Sequence, residues 1–229
     1  IKSLTPEIFE KIYFNLDENK KKNLFTFRKS SVYKKFNENI RGLVTQRIAD
    51  DILSLDIKSI RLIPCEFISE ENAEKAMDAN IELLKYVPSK YQTIGRQYEL
   101  INFNPSFIDY IDTSVLLDEV ILFALSKKGT IFSKVPVERR TYEISMSAVN
   151  YYPGSLKYVP DEVKTSEMCF NAVARKQEMI KYVPVKFLTE DFVEALNRAH
   201  IIIPANFSGY VTECLKANNK IKGEDITET

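Results

Sequence analysis

The sequence predicts an all-α fold: a right- or left-handed solenoid of 24-residue units, each a helix followed by a shorter helix, behind an N-terminal three-helix cap. Three observations carry this. A β-branched residue followed by proline recurs in one register at Ile63-Pro64, Val87-Pro88, Val135-Pro136, Val159-Pro160 and Val183-Pro184, with Ile111-Asp112 in the remaining slot. Five of the nine prolines stand in that register, which composition alone does not produce. Apolar pairs then recur at helical spacing, as at Val120-Ile121, Met168-Cys169 and Phe192-Val193, and nowhere is a period-two alternation sustained.

Taken in order, the first element opens at Thr5-Pro6-Glu7, where threonine suits the cap, proline the first helical position and glutamate the positive end of the helix dipole. Ile8, Ile12 and Leu16 then line one face, and Asp17 to Asn19 read as a turn. Leu24, Phe25, Phe27, Val32 and Phe36 supply apolar contacts for one or two further short helices.

Within each repeat a hydroxyl column, Ser69, Thr93, Thr141, Thr165 and Thr189, marks the helix start, with Leu117 the exception. A small or apolar column follows at Ala76, Leu100, Ala124, Ala148, Ala172 and Leu196, preceded by pairs such as Val120-Ile121 and Met168-Cys169. The alanines are expected to let a neighbouring helix come close. Asn104-Pro105, Lys128-Gly129 and Tyr152-Pro153 fall at one position and should stop the helix. A turn of helix or 3₁₀ follows, closing on Tyr86, Tyr110, Tyr158 or Tyr182 before the next start.

No such unit buries its apolar face alone, so stacking must supply the core and the end units must differ. The expected organisation is an N-terminal segment over 1–38, a degenerate opening unit over 39–62, six repeats over 63–206, a capping helix over 207–217 and a polar, frayed tail over 218–229.

The form "A-V-x-x-x-x-x-x-L-x-Y-V-P", visible at Ala148-Val149 through Pro160 and at Ala172-Val173 through Pro184, resembles a helical-repeat family of unannotated function found in bacteria, protists and large viruses. The unit from Ile111 to Lys134 departs most, with Asp112 for proline and Lys134 for tyrosine. The resemblance implies a stacked helical fold and lends neither catalytic residues nor a defined ligand. Leu4-x-Pro6-Glu7-Ile8, Glu10-Lys11-Ile12, Leu16-Asp17, Asn23-Leu24 and Arg28-Lys29-Ser30 together resemble an F-box, the module that docks an adaptor of cullin-type ubiquitin ligases. Its tryptophan near Ser31 is absent, and Lys20 to Lys22 stand where apolar residues are usual.

Thirty-two basic and thirty-two acidic residues balance, so no global field draws the chain to nucleic acid or an anionic membrane. Between Glu18 and Arg41, eight basic residues face two acids and interleave with Phe25, Phe27, Tyr33 and Phe36. This stretch is open to a nucleic-acid reading by charge and stacking, beside the simpler one of a solvated lysine face. Cys65, Cys169 and Cys214 form no CxxC pair and His200 is the sole histidine, so neither a disulfide framework nor a metal site is expected, and no cofactor. A serine or cysteine hydrolase would have only His200 as base, at a predicted helix end, and no phosphate-loop, dinucleotide or HExxH motif occurs. No run is long enough to span a bilayer and no signal-peptide layout opens the sequence, so an intracellular, cytoplasmic setting is expected, a viral particle or infected cell included.

The expected role is a non-enzymatic protein–protein interaction scaffold or structural component of a larger assembly, viral by the repeat resemblance. The alternatives are an F-box-like adaptor docking through Leu4, Pro6 and Ile8, and a nucleic-acid-associated protein using residues 18–41, with nucleic acid not favoured. The column that varies most between copies, Ala79, Phe103, Lys127, Tyr151, Arg175 and Ala199, is the expected partner-reading position, with Phe103, Lys127, Tyr151 and Arg175 its informative members. Placing a charge in the small column should be severe. Ala172→Glu is expected to cost on the order of 3 kcal/mol or more, and an unchanged melting temperature would contradict the assigned register.

Overall fold

A computed structural model describes residues 4–25 and 39–225, with side chains described through residue 219. The helix expected near Val32 and Phe36, with Phe27, Tyr33, Arg28, Lys29, Ser30, Lys34 and Lys35, lies outside the described residues. Every regular element among the described residues is helical, and none is a strand. The α-helices are α1 (Pro6–Phe14), α2 (Glu18–Leu24), α3 (Gln46–Leu55), α4 (Glu70–Ala79), α5 (Ile94–Phe103), α6 (Asp118–Lys127), α7 (Tyr142–Tyr151), α8 (Ser166–Arg175), α9 (Glu190–Arg198) and α10 (Ala205–Asp225).

Helices α3 to α9 each start 24 residues after the last, and α3 to α8 are each followed by a six-residue 3₁₀ turn in the same register, from Ile57–Leu62 to Gln177–Tyr182. The helix starts are local chemistry. Thr45, Ser69, Thr93, Thr141, Thr165 and Thr189 accept the amide N–H three residues on, at 3.2 to 3.5 Å. Leu117 gives α6 no side-chain cap. At the helix ends Asp56, Asn80, Lys128, Tyr152 and Lys176 swing to extended backbone, φ between −145° and −163°, and redirect the chain into the 3₁₀ turn. Gly129 is required there, because a Cβ would lie 2.9 Å from Cβ of Tyr152 and 3.0 Å from Cβ of Tyr151.

The described chain forms two compact units. The first comprises the described residues of Ile1–Gln97 with Tyr110–Val115. In it α2 packs on α3, and α1 turns its Phe9 and Tyr13 inward, not the face of Ile8, Ile12 and Leu16 expected from the periodicity. Tyr13 is fully buried, its hydroxyl donating to Asp51 at 2.9 Å, while Lys21 reaches the same carboxylate at 3.1 Å. Burial, then the Asp51 carboxylate, pushes the Tyr13 hydroxyl far above its ordinary pKa. The expected turn at Asp17 to Asn19 is instead the start of α2, where Asp17 accepts the Lys20 amide at 2.9 Å.

The second unit comprises Tyr98–Asp109 with the described residues of Leu116–Thr229. In it α6 packs on α7, α7 on α8 and α8 on α9, and the 3₁₀ turns Gly129–Lys134, Pro153–Tyr158 and Gln177–Tyr182 pack on one another in turn. Ala124, Ala148 and Ala172 are fully buried at these helix contacts. His200 ends the series: it stands in the column where earlier copies turn extended, but adopts φ 57°. Its N–H donates to Asn197 at 2.9 Å and that of Ile201 to Leu196 at 2.9 Å, a left-handed cap that closes α9 without a 3₁₀ turn. The expected capping helix and the tail as far as Asp225 are one helix, α10. Its Asn218 side chain donates to the carbonyls of Val185 at 2.7 Å and Leu188 at 2.9 Å, which gives the chain beyond residue 217 an anchor that hydropathy does not reveal.

Each proline-marked joint is closed by a side-chain donor. In the first unit Gln46 reaches the carbonyl of Phe67 at 3.1 Å. Gln92 takes those of Leu84 and Val87 at 3.2 and 3.0 Å, and Gln97 that of Val115 at 3.0 Å. In the second, Arg140 bonds the carbonyls of Val135 at 2.9 Å and Tyr158 at 2.8 Å, and Lys164 that of Tyr182 at 2.8 Å. One of these explains the copy without proline. The Asp112 amide donates to Oε1 of Gln92 at 2.8 Å, a bond proline has no N–H to make. Asp112→Pro is therefore expected to lower stability by about 1–3 kcal/mol in urea denaturation, since it strands a buried acceptor, whereas Asp112→Asn should leave the midpoint nearly unchanged.

Candidate interaction surface

The variable column is presented outward. Phe103, Lys127, Tyr151, Arg175 and Ala199, all in the second unit, are exposed at the C-terminal ends of α5 to α8 and just past α9, and Ala79 is exposed in the first. The cause is helical geometry: Ile101, Leu125, Val149 and Val173 are buried and fix the inward face, and the residue two positions on lies about 200° round the helix from each of them. Phe103 is 82% exposed and Tyr151 53%, large apolar groups that the core leaves in water. Phe103 stacks on Phe107 with ring centroids 5.9 Å apart, and the Lys127 ammonium lies 5.1 Å over the Phe123 ring.

Arg175 behaves differently from its column neighbours. Its guanidinium donates to the carbonyl of Val149 at 3.3 Å and to that of Asn150, groups at the end of α7 that the helix cannot pair internally. It is a cap on the preceding repeat, so its charge is already engaged.

In the first unit Leu4 and Pro6 are partly exposed, and Ile8 and Ile12 are each 48% exposed on α1. Leu4, Ile8 and Ile12 stand at i, i+4, i+8 spacing as one apolar stripe, about 100° round the helix from the buried Phe9 and Tyr13. The basic segment is divided by its contacts. Lys20 pairs with Asp17 at 2.9 Å, and Lys21, lying between the Tyr13 and Phe14 rings, pairs with Asp51 at 3.1 Å.

The chemistry-bearing side chains are placed structurally. His200 lines an open depression with Asn197 and Ile201 to Ile203, and no nucleophile shares it. A second depression between α8 and α9 holds Ser166, Thr189, Glu167 and Asp191 around Phe170 and Phe192, and the Thr189 hydroxyl there serves as the cap of α9, accepting the Phe192 amide at 3.3 Å. Burial pushes the Cys169 thiol up to about 11, which keeps it protonated near neutral pH, while Cys65 is exposed. Among the described residues no group of three His, Cys, Asp or Glu side chains is placed to hold a metal ion, and no helix is long and apolar enough to cross a membrane.

Sequence reasoning overlooked the joint donors Gln46, Gln92, Gln97, Arg140, Lys164 and Asn218. For Gln92, Arg140 and Lys164 a signal existed: they occupy a column that is otherwise Ile68, Leu116 and Leu188, all buried. It also passed over the lysines that precede the repeated tyrosines. Lys85, Lys157 and Lys181 each lie 4.4 to 5.5 Å over the next tyrosine ring.

No family model, no curated protein and no solved structure matches this chain.

The two roles within the column separate experimentally. Arg175→Ala is expected to lower stability by about 1 kcal/mol, the scale of an exposed charge-assisted bond, while Phe103→Ala should leave the urea midpoint unchanged. A neutral Arg175→Ala would return that residue to the group free to meet a partner.

Proposed function

We propose that the chain is a non-enzymatic interaction scaffold, a solenoid in which each 24-residue helix and 3₁₀ unit packs on the next and the variable column meets a protein partner. The observation that carries this reading is Phe103 and Tyr151, two large aromatic side chains held in water at the same repeat position by helices whose opposite faces are buried. Aromatic anchors on a rigid frame lose little side-chain entropy on binding and are the side chains that most often dominate interface energetics. Lys127 adds charge selection beside them, and the repeated fold supplies the spacing. The repeat resemblance favours a component of a larger assembly, a viral one included.

A second reading keeps the N-terminal segment as an F-box-like ligase-adaptor dock, and it is favoured by the exposed stripe of Leu4, Ile8 and Ile12 on α1. Its partner would be an adaptor protein with an apolar groove, and Pro6 would fix the entry of the helix into it. The two readings use different residues and are separable. In quantitative affinity capture from the native source, Phe103→Ser with Tyr151→Ser should reduce the principal partner at least tenfold while melting stays unchanged. Ile8→Asp with Ile12→Asp should leave that partner in place. If only the second pair abolishes capture, the docking reading replaces the scaffold reading; if neither does, both fail.

A further inference from the structure

One set of side chains in the second unit is built but unassigned. Successive 3₁₀ turns, Pro153–Tyr158 and Gln177–Tyr182, pack against each other, and each ends in a Lys-Tyr pair. The Lys157 ammonium lies 4.4 Å from the centroid of the Tyr158 ring and that of Lys181 5.1 Å from the Tyr182 ring. The joint that follows Tyr182 adds a further such contact, with Lys186 4.8 Å over Phe187. An ammonium resting on an aromatic face is held without losing its exposure, so less freedom remains to be lost when an anion arrives.

The local charges leave this ridge basic. Asp161 is taken by Lys164 at 2.7 Å and Glu178 faces Lys176 at 3.9 Å. Lys157, Lys181 and Lys186 have no carboxylate within 4.0 Å among the described residues, which leaves three ammonium groups against the exposed Glu162 in these joints. The Lys157 ammonium is raised above its ordinary pKa, chiefly by the Tyr158 hydroxyl, with Tyr182 and Tyr152 contributing more weakly, so it keeps its charge across the physiological range.

We propose that the ridge of Lys157, Tyr158, Lys181 and Tyr182 binds an extended acidic segment of a partner protein. The inference rests on the scaffold reading in taking a protein as the partner, and it names that partner's chemistry on side chains the variable column does not include. Elements packed side by side stand about 8–10 Å apart, and an extended polyproline-II chain advances about 3.1 Å per residue with three residues per turn, which puts every third side chain on one face. Carboxylates three residues apart therefore meet consecutive Lys-Tyr pairs, each accepting from an ammonium and a neighbouring phenol. Single-stranded nucleic acid fits less well. It needs open ring faces for its bases, and here the lysines already lie over those faces.

Fluorescence anisotropy on the full chain tests this with a labelled twelve-residue peptide carrying glutamate at every third position in a Gly/Ser background. The glutamate peptide should bind at least tenfold more tightly than its glutamine counterpart, and weaken as salt rises. Lys157→Glu with Lys181→Glu should reduce binding at least tenfold, whereas Lys58→Glu with Lys90→Glu, the same charge change in the first unit, should change it less than twofold. Phe103→Ser with Tyr151→Ser should leave it intact, so failure of the scaffold column and failure of the ridge read out separately. Equal binding of the two peptides, or equal loss from both charge reversals, overturns the proposal. So does a labelled single-stranded RNA of matched charge that binds more tightly through Lys157 and Lys181, or self-association in sedimentation that those two reversals abolish.

Discussion

A chain that changes direction twice in every 24 residues leaves backbone carbonyls at each turn, and turns packed between neighbours cannot rely on water to satisfy them. Here the answer is a side-chain donor at every joint. Gln92, Arg140 and Lys164 do it from the column that elsewhere holds Ile68, Leu116 and Leu188. Where that column is apolar the donor comes from another place: Gln46 serves Phe67, Gln97 serves Val115, and Asn218 serves Leu188. The hydrophobic columns supply the burial that drives packing, but these bonds decide which turn geometry can be buried at all. Their cost falls on burial of charge. Lys164 has a 6% exposed side chain, and its ammonium donates there to both the Tyr182 carbonyl and the Asp161 carboxylate.

The same constraint accounts for the irregular copies. Asp112 stands where proline is usual because its amide is needed by Gln92. Lys134 stands where tyrosine is usual, and its ammonium pairs with Asp109 and reaches the Ser106 carbonyl at 3.4 Å. His200 ends the series by capping α9 in the left-handed region, where a β-branched residue would be strained. Deviations from the repeat are thus exchanges of one way of satisfying the backbone for another.

Legibility in the sequence followed the range of the interaction. Helix caps, the small buried column and the proline-marked joints are set by residues within one turn of each other, so hydroxyl, alanine and proline spacing exposed them directly. Among the long polar donors, Gln92, Arg140 and Lys164 are marked only as polar residues in an otherwise apolar column, and nothing in the sequence at Gln46 or Gln97 distinguishes a carbonyl partner one repeat away from water. Helix α1 offers two apolar stripes at the same period, Ile8 with Ile12 and Phe9 with Tyr13, and the second is buried where Tyr13 meets both the Phe25 ring and the Asp51 carboxylate on α3. Of the variable column, exposure of Phe103, Lys127 and Tyr151 follows from the register of the buried Ile101, Leu125 and Val149, whereas the hold of Arg175 on the end of α7 depends on how repeats face each other. Asn218 was unreadable for the same reason: its acceptors, Val185 and Leu188, lie in the preceding joint.

The most direct measurement is solvent exchange of side-chain amide protons by NMR. The carboxamide protons of Gln92 and Gln97, both buried and donating to joint carbonyls, are predicted to exchange at least a hundredfold more slowly than those of an exposed glutamine such as Gln177. Exchange of Gln92 and Gln97 at the rate of the exposed side chain, in a chain that is otherwise folded, would contradict the claim that side-chain donors close the joints.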